Sequence, residues 1–559
     1  MTYVVTRSCC ADASCVLACP VNCIHPAPGE PGFGQTEMLY VDPRTCVDCG
    51  ACTTACPVDA LKPHTRLTEA ELPFLDLNRA YYEAHPHGDR TPMALVPAPR
   101  RLSGSELRVA VVGAGPAGLF AADELLRHPG VTVTVYDRLP TPHGLARAGV
   151  APDHQDTKQV ARLFRAVEGQ PGFSYRLDTE VGRDLHHADL VRTHHAVLYA
   201  VGAATDRPLG IEGEGLPGSA SATDFVAWYN GHPDHSGARY ALDGERAVVI
   251  GNGNVALDVA RVLTADPESL ARTDVSDPAL AALRTSRIRE VVLLGRRGPA
   301  EAAFTLPELL ALASLDDVDV LVEEWPADVP ADATPKTEVL ARLAARTPVP
   351  GRRRIVLRFR TRPVRIVGGD RVTGVVVERS TPPYGGSARE TSDPDGGTPR
   401  TAESPGATET IEASLVLRAI GYRARPVPGL PFDGATGTVP HQRGRVKPGV
   451  YVAGWIKRGA SGFIGTNKSC AQETVSALLD DFEAGLLAAP VGGGATDDAP
   501  TRGVDLEGWR AIDAAERAEG DLQGRPRVKL VDREALMAAA GGRSRGEGVA
   551  PSPRGTPQA

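Results

Sequence analysis

Apolar and polar positions alternate in two different rhythms along the 559 residues. From Leu107 the chain reads LRVAVV, then the turn GAGPAG, then LFAADELLRH, then VTVTVYD. A short continuous apolar run predicts a buried strand, the glycines a tight turn, and apolar residues at helical spacing a helix. The same order returns at Ala247 as AVVIG, NGN and VALDVARVL, with VVLLG later. Strands alternating with helices predict parallel, doubly wound sheets, and two such units are present. After Ile411 the strand patterns SLVLRAIGYR and VYVAGW precede helical patterns at residues 469–484 and 506–520. Residues 1–61 lack this rhythm and are short and turn-rich. The Pro- and His-containing stretch behind them carries one amphipathic patch, residues 72–82.

These shifts predict a multidomain α/β chain behind a small N-terminal module. The expected divisions are residues 1–61, a linker 62–106, a discontinuous unit 107–204 plus 421–540, and a unit 205–420 inserted into it. Residues 383–410, rich in Gly, Ser, Thr and Pro, read as a flexible surface insertion. A glycine-rich break follows at 492–494, and residues 541–559 read as a disordered tail. The length exceeds what one core supports. A hydrophobic content of 42% with 23% charged residues is ordinary for a water-soluble globular protein. The formal charge of -8 argues against nucleic acid as a partner. No membrane-length apolar run and no signal-like start are found, so no membrane insertion is expected and the cytoplasm is the expected compartment.

Cysteine changes the picture most. Of the 10 cysteines, all but Cys470 lie between Cys9 and Cys56. In a large chain of a reducing compartment, clustered thiols hold metal rather than disulfides. The run Cys46-x2-Cys49-x2-Cys52-x3-Cys56-Pro57 has the spacing that wraps a cubane, its fourth cysteine reaching a second cluster. Upstream, Cys9-x2-Asp12-x2-Cys15-x3-Cys19-Pro20 repeats it with Asp12 at the second cysteine position. By that crossover, Cys46, Cys49, Cys52 and Cys19 hold one [4Fe–4S] cluster, and Cys9, Cys15 and Cys56 the other. Three thiolates predict a [3Fe–4S] cluster, or a [4Fe–4S] cluster with a labile iron at Asp12 or water. Cys10 and Cys23 are expected as packing residues or alternative ligands, and Cys470 as a small buried residue.

In the first glycine turn, Gly113 permits the tight bend, Gly115 close approach to a pyrophosphate, and Gly118 close helix–strand packing. Asp137, at the end of the next strand, is the ribose-binding acid such a turn requires. The second turn, Gly251-Asn252-Gly253-Asn254-Val255-Ala256, has no such acid; its later strand ends in Gly295-Arg296-Arg297-Gly298. Two guanidiniums there suit a 2′-phosphate, so NADP(H) is expected over NAD(H). The glycine-rich turn before the helix near residue 469 offers amides and a positive dipole to a flavin ring.

GAGPAG, the stretch from Pro142 to His154, YAVG, GNGNVALDVAR, GRRGPAEAAFT and GWIKRGASGFIGTN together resemble the adrenodoxin reductase family of ferredoxin–NADP reductases. The N-terminal segment is similar to two-cluster, seven-iron ferredoxins, and the whole chain resembles fused ferredoxin/ferredoxin–NADP reductases. The resemblance implies an α+β two-cluster ferredoxin fold followed by an FAD/NADP flavoprotein fold with two Rossmann-like units. It implies that Ala117, Asp137, Leu145, Val181, Trp455, Gly462, Phe463 and Ile464 line FAD. Arg207, Asn254, Val255, Ala256, Arg296, Arg297, Glu308 and Gly462 would contact NADP. Asp137 stands where Glu is usual, a shorter arm of the same charge. His154 is the implied active-site histidine. Some relatives pair it with an acid one turn after the Glu308 position, where this chain has Ala311. The implied activity passes electrons from NADPH through FAD to the clusters and then to or from a redox partner such as a ferredoxin or a cytochrome P450 system. Two other readings are a flavoprotein reducing an organic substrate, for which no added domain is found, and a non-catalytic relay subunit. Disulfide-reductase chemistry is disfavoured because neither dinucleotide unit carries a cysteine pair.

Overall fold

The computed structural model describes residues 2–92, 99–102, 106–326, 328–330, 334–379, 408–491 and 503–541. The expected insertion thus lies outside the described residues up to 407. Residues 408–410 are no loop: they open the strand Thr408–Glu412. The break at 492–494 and the tail from 542 onward also lie outside the described residues.

Two six-stranded sheets dominate. In the first, Leu107–Val112 lies between Ala196–Tyr199 and Val131–Tyr136, with Phe173–Arg176 beyond the latter, all parallel. Val450–Val452 extends it in parallel on the other side, and Arg445–Lys447 closes that edge antiparallel. The second sheet is parallel throughout, in the order Ser219–Ser221, Leu415–Arg418, Arg246–Ile250, Glu290–Leu294, Arg353–Arg358, Val318–Glu323. Central strands such as Leu107–Val112 are apolar on both faces because helices cover both. Thr361–Gly368, Val372–Arg379 and Thr408–Glu412 form a separate antiparallel sheet.

The apolar pattern from 414 to 423 is not one strand. Gly421, at φ +105, breaks it. Leu415–Arg418 stays in the second sheet, while Tyr422–Arg423 pairs antiparallel with Thr205–Asp206 between the two units.

In the N-terminal module, Tyr3–Val5 pairs with Leu61–Pro63, and Ile24–His25 with Tyr40–Val41. Each cysteine run ends in a short helix, Ser14–Ala18 or Ala51–Ala55, capped by Cys19 or Cys56. The expected linker begins later than residue 62. Leu61–Pro63 belongs to the module's sheet, and the helix Leu72–Ala84 buries Phe74, Asn78 and Tyr82 against it. The Asn78 side chain donates to Val5 O at 3.0 Å and accepts from Val41 N at 2.8 Å; the Tyr82 hydroxyl donates to Cys23 O at 3.0 Å. These bonds satisfy backbone groups that such short strands and their flanks leave open.

The module is seated on both sheets. Cys10, Val58 and Ala60 share an apolar cluster with Val109 and Val111, while Leu310 packs on the module's own core. Among the described residues no helix is long and apolar enough to cross a membrane.

Candidate active site

Backbone crowding explains the first glycine turn. A Cβ on Gly113, at φ +110, would lie 2.4 Å from Ala200 O, and one on Gly118 would lie 1.9 Å from Gly113 O. Neither position tolerates a side chain, so the turn stays open to whatever lies at the start of the helix Pro116–Leu126. Pro116 at the first helical position loses no bond, since that N–H has no partner within the helix. Asp137 Oδ2 accepts from Ala114 N at 2.8 Å and Oδ1 from Leu139 N at 2.9 Å. Burial pushes its carboxyl up against the pull of these amides.

Other expected residues gather here. The Cα of Gly144, which precedes Leu145, faces Gly115, and Gly454, which precedes Trp455, abuts the buried Ala117. Val181 and Trp455 pack on one apolar cluster with Tyr136. Trp455 Nε1 donates to Ser461 O at 3.1 Å. Gly462 sits at φ +81, and Phe463 N donates to Thr466 Oγ1 at 3.0 Å, turning the chain through Ile464 into the helix Thr466–Glu483.

The second turn has the same frame and different chemistry. Gly251, at φ +130, lies against Ala419 O, whereas a Cβ on Gly253 would meet nothing within 4 Å. Asn254 Oδ1 accepts from Thr305 N at 2.9 Å, and Val255 and the buried Ala256 follow it in the helix Asn254–Thr264. Arg296 and Arg297 are exposed, and neither has a carboxylate partner among the described residues. Arg207 is also exposed, its amide bonded to Gly421 O at 3.2 Å.

His154 lies in a charged knot. Arg261, almost wholly buried, donates to Asp153 at 2.7 Å, to Asp258 at 2.9 Å and to His154 Nε2 at 2.5 Å. Arg7, from the N-terminal module, donates to the same His154 Nε2 and to Glu308 Oε2 at 2.8 Å. Two guanidiniums on one ring nitrogen require Nε2 to accept, which makes His154 a neutral imidazole protonated on Nδ1. Burial, then the Arg261 charge, hold its pKa below the ordinary value. Burial works against Glu308 ionising, but the Arg7 and Arg261 charges outweigh it and hold the carboxyl low. The sequence left His154 without the acid that Ala311 replaces. Asp258 at 3.7 Å and Asp153 and Glu308 at 3.9 Å stand around Nε2 beyond hydrogen-bond distance, so the ring is held by Arg261 and Arg7 rather than by an acid.

The thiols fall into two groups. Cys19 and Cys46 flank Cys23, with Cys52 and the exposed Cys49 beside them. Cys9, Cys15 and Cys56 surround Asp12 and Cys10. Cys23 Sγ lies 3.4 Å from Cys19 Sγ. Hydrogen bonding from Cys23 draws Cys19 down to about 6 and Cys46 down to about 5. Burial pushes Cys9 and Cys52 up to about 12. Such soft donors on tight loops suit an iron–sulfur cluster. Cys10 is buried, with Sγ 3.7 Å from Asp12 Oδ1. Cys470 is buried as well, its sulfur accepting from Gly454 N at 3.3 Å.

The second thiol group meets the turn after Trp455. Gly465 N donates to Cys10 O at 2.7 Å, and a Cβ on Gly465 would lie 2.2 Å from the carbonyl carbon of Ala11. Lys468 donates to Asp12 O at 3.2 Å, and Leu306 N donates to Glu37 Oε2 at 2.7 Å.

Comparison with known proteins agrees with this construction. A family described as pyridine nucleotide-disulphide oxidoreductase matches residues 107–278, and a 4Fe-4S binding domain matches residues 39–62. A probable ferredoxin/ferredoxin–NADP reductase of Mycobacterium tuberculosis is 48% identical over 97% of this chain and 95% of its own length. The chain belongs to the fused ferredoxin/ferredoxin–NADP reductase family. The Mycobacterium leprae member is also 48% identical, over 97% of this chain and 98% of its own. The solved structure of Mycobacterium tuberculosis FprA in complex with NADPH aligns at TM-score 0.72 and 42% identity, covering 78% of this chain and 100% of that one. This ferredoxin/ferredoxin–NADP reductase is therefore an oxidoreductase with a multidomain, FprA-like fold behind a 4Fe-4S binding module. Arg7, Glu37 and Lys468 drew no attention in the sequence, and Arg261 stood only as one letter of a matching helix. A charged residue in a polar gap carries no periodicity to betray its partner.

Proposed function

We propose that the chain works as a ferredoxin–NADP(+) reductase with its acceptor in cis, passing electrons between NADPH, FAD and the clusters of its N-terminal module. From there they go to or from an external one-electron partner, such as a separate ferredoxin or a cytochrome P450 system, in the cytoplasm. The single observation that carries this reading is the direct contact between the cysteine loop and the glycine turn, Gly465 N to Cys10 O at 2.7 Å.

FAD fits the first unit. Gly113 and Gly118 have no room for a Cβ, and Asp137 presents a carboxylate at the strand end. FAD, when bound, takes a hydride as an electron pair and releases the electrons singly. Ala117, Leu145, Val181, Trp455, Phe463 and Ile464 hold it in place. In the second unit Asn254, Val255 and Ala256 present amides at a helix N-terminus to the pyrophosphate. Arg296 and Arg297, free of carboxylates among the described residues, take the 2′-phosphate, and Arg207 adds a third positive charge. Gly462, without a side chain, admits the nicotinamide. Glu308 accepts from its carboxamide, and neutral His154 orients it without adding charge. Cys46, Cys49, Cys52 and Cys19 hold a [4Fe–4S] cluster. Cys9, Cys15 and Cys56 hold a [3Fe–4S] cluster, or a [4Fe–4S] cluster whose labile iron rests on Asp12. The working divisions are residues 1–84 for the cluster module, 107–204 with 421–540 for FAD, and 205–420 for NADP.

The test is anaerobic addition of NADPH to the purified holoprotein. Yellow flavin absorbance should bleach first and the cluster absorbance after it. A protein without flavin, or clusters that stay oxidised while the flavin is reduced, would overturn the reading. Low-temperature EPR of the oxidised protein distinguishes the two forms of the second cluster.

A further inference from the structure

The Glu308 carboxylate takes its hydrogen bonds on one oxygen. Arg7 Nη2 lies 2.8 Å and Nε 3.1 Å from Oε2; Arg261 Nη1 is 3.5 Å and His154 Nε2 3.9 Å from the same atom. Oε1 accepts no hydrogen bond among the described residues. A carboxylate offers lone pairs on both oxygens, so the second is left for an N–H donor from outside the protein. The Arg7 fork sets this asymmetry, because it spans Glu308 and His154 together. Arg7 follows the strand Tyr3–Val5, and its loop leads directly to Cys9. The group that turns Glu308 is therefore built into the cysteine module and not into either dinucleotide unit.

We propose that Arg7 is a positioning residue of the nicotinamide site, supplied by the cysteine module, and that it makes the seating of that module and the occupancy of the nucleotide site mutually dependent. This rests on the reading of Glu308 as a nucleotide contact. Arg7 holds Oε2 and leaves Oε1 facing the nucleotide. A nucleotide bound to Oε1 in turn holds Glu308 in the rotamer that Arg7 grips. Coupling of this kind is reciprocal: whatever seating does for affinity, nucleotide does for seating. Lysine at position 7 would keep the charge and lose the fork.

The experiment uses full-length protein loaded with FAD and clusters, as wild type, R7Q, R7K, E308Q and the R7Q/E308Q double variant. NADP+ affinity is read from the perturbation of flavin absorbance, and seating from hydrogen exchange across residues 7–12 with and without NADP+. R7Q should weaken NADP+ binding about tenfold, the worth of a hydrogen bond between charged groups. R7K should fall between R7Q and wild type, and the double variant should bind no more weakly than E308Q alone. NADP+ should slow exchange at residues 7–12 in wild type and leave it unchanged in R7Q. If R7Q binds NADP+ like wild type while E308Q is weakened, Arg7 only glues the module down and the inference falls. If E308Q itself binds NADP+ unaltered, the reading of Glu308 fails instead. Should R7Q lose its clusters, R7K carries the same measurements, and unaltered affinity together with wild-type exchange protection in R7K would overturn the proposal.

Discussion

The two glycine turns share a backbone and differ in everything that selects a ligand. Gly113 and Gly251 both sit at positive φ with a carbonyl oxygen where a Cβ would be, Ala200 O in one and Ala419 O in the other. Beyond that the units diverge. The first is closed around its acid: Gly118 is jammed against Gly113 O, and Asp137 is tied to two backbone amides. The second is open: Gly253 faces free space, and the strand end carries two exposed arginines. The acids near the two turns are pushed in opposite directions, burial raising Asp137 while the Arg7 and Arg261 charges hold Glu308 down against burial. Shared geometry makes a dinucleotide fold; on the function proposed above, local charge is what selects the nucleotide.

The sharpest way to break this contrast is Gly118→Val. With its Cβ 1.9 Å from a backbone oxygen, it should cost on the order of 3 kcal/mol and abolish flavin retention, read from the unfolding midpoint and the flavin-to-protein absorbance ratio. Retained flavin and stability would mean that the first turn is not closed.

Replacing Arg296 and Arg297 together by serine should raise KM for NADPH about a hundredfold, since each contributes a charge-assisted bond to phosphate. KM for NADH should hardly move, and equal losses for both nucleotides would remove the arginines from 2′-phosphate recognition.

Glu308→Gln should destabilise the protein by about 2 kcal/mol at neutral pH, because it strips the half-buried Arg7 and the buried Arg261 of a partner. The folded carboxyl is held below its unfolded value of about 4.3, so its contribution is complete above that value. It is lost as the pH falls through the folded pKa. Denaturant titrations of wild type and variant should therefore differ by a constant amount above about pH 5 and converge in stronger acid.

The smallest effect belongs to Gly253→Ala. Stability should stay within about 0.5 kcal/mol of wild type because nothing lies within 4 Å of the new methyl, while NADPH affinity drops where backbone and pyrophosphate must meet. Unchanged affinity would show that the pyrophosphate sits elsewhere.

Much of this was legible before any coordinates. Strand, turn and helix around Gly113 and Gly251 are written in residues close together in sequence, and the cysteine spacings describe loops that close locally. The amphipathic patch at 72–82 stood out within an expected linker, but nothing in it showed that it forms a helix whose Asn78 and Tyr82 staple the cysteine module. The position of Ala311 suggested a histidine without its acid, but not that two guanidiniums would hold the ring instead. Arg261 lies on another helix altogether, and Arg7 in the cysteine module.

Motif and period thus determined which ligands this chain is built to hold, because the atoms that shape each turn are neighbours along the backbone. Only tertiary structure decided how the parts are joined. Arg7 and Glu308 are 301 positions apart, and nothing in either one's surroundings along the chain announces the other. Their meeting depends on two sheets and a module packing at one angle, which is a property of the whole buried interface and of no single segment.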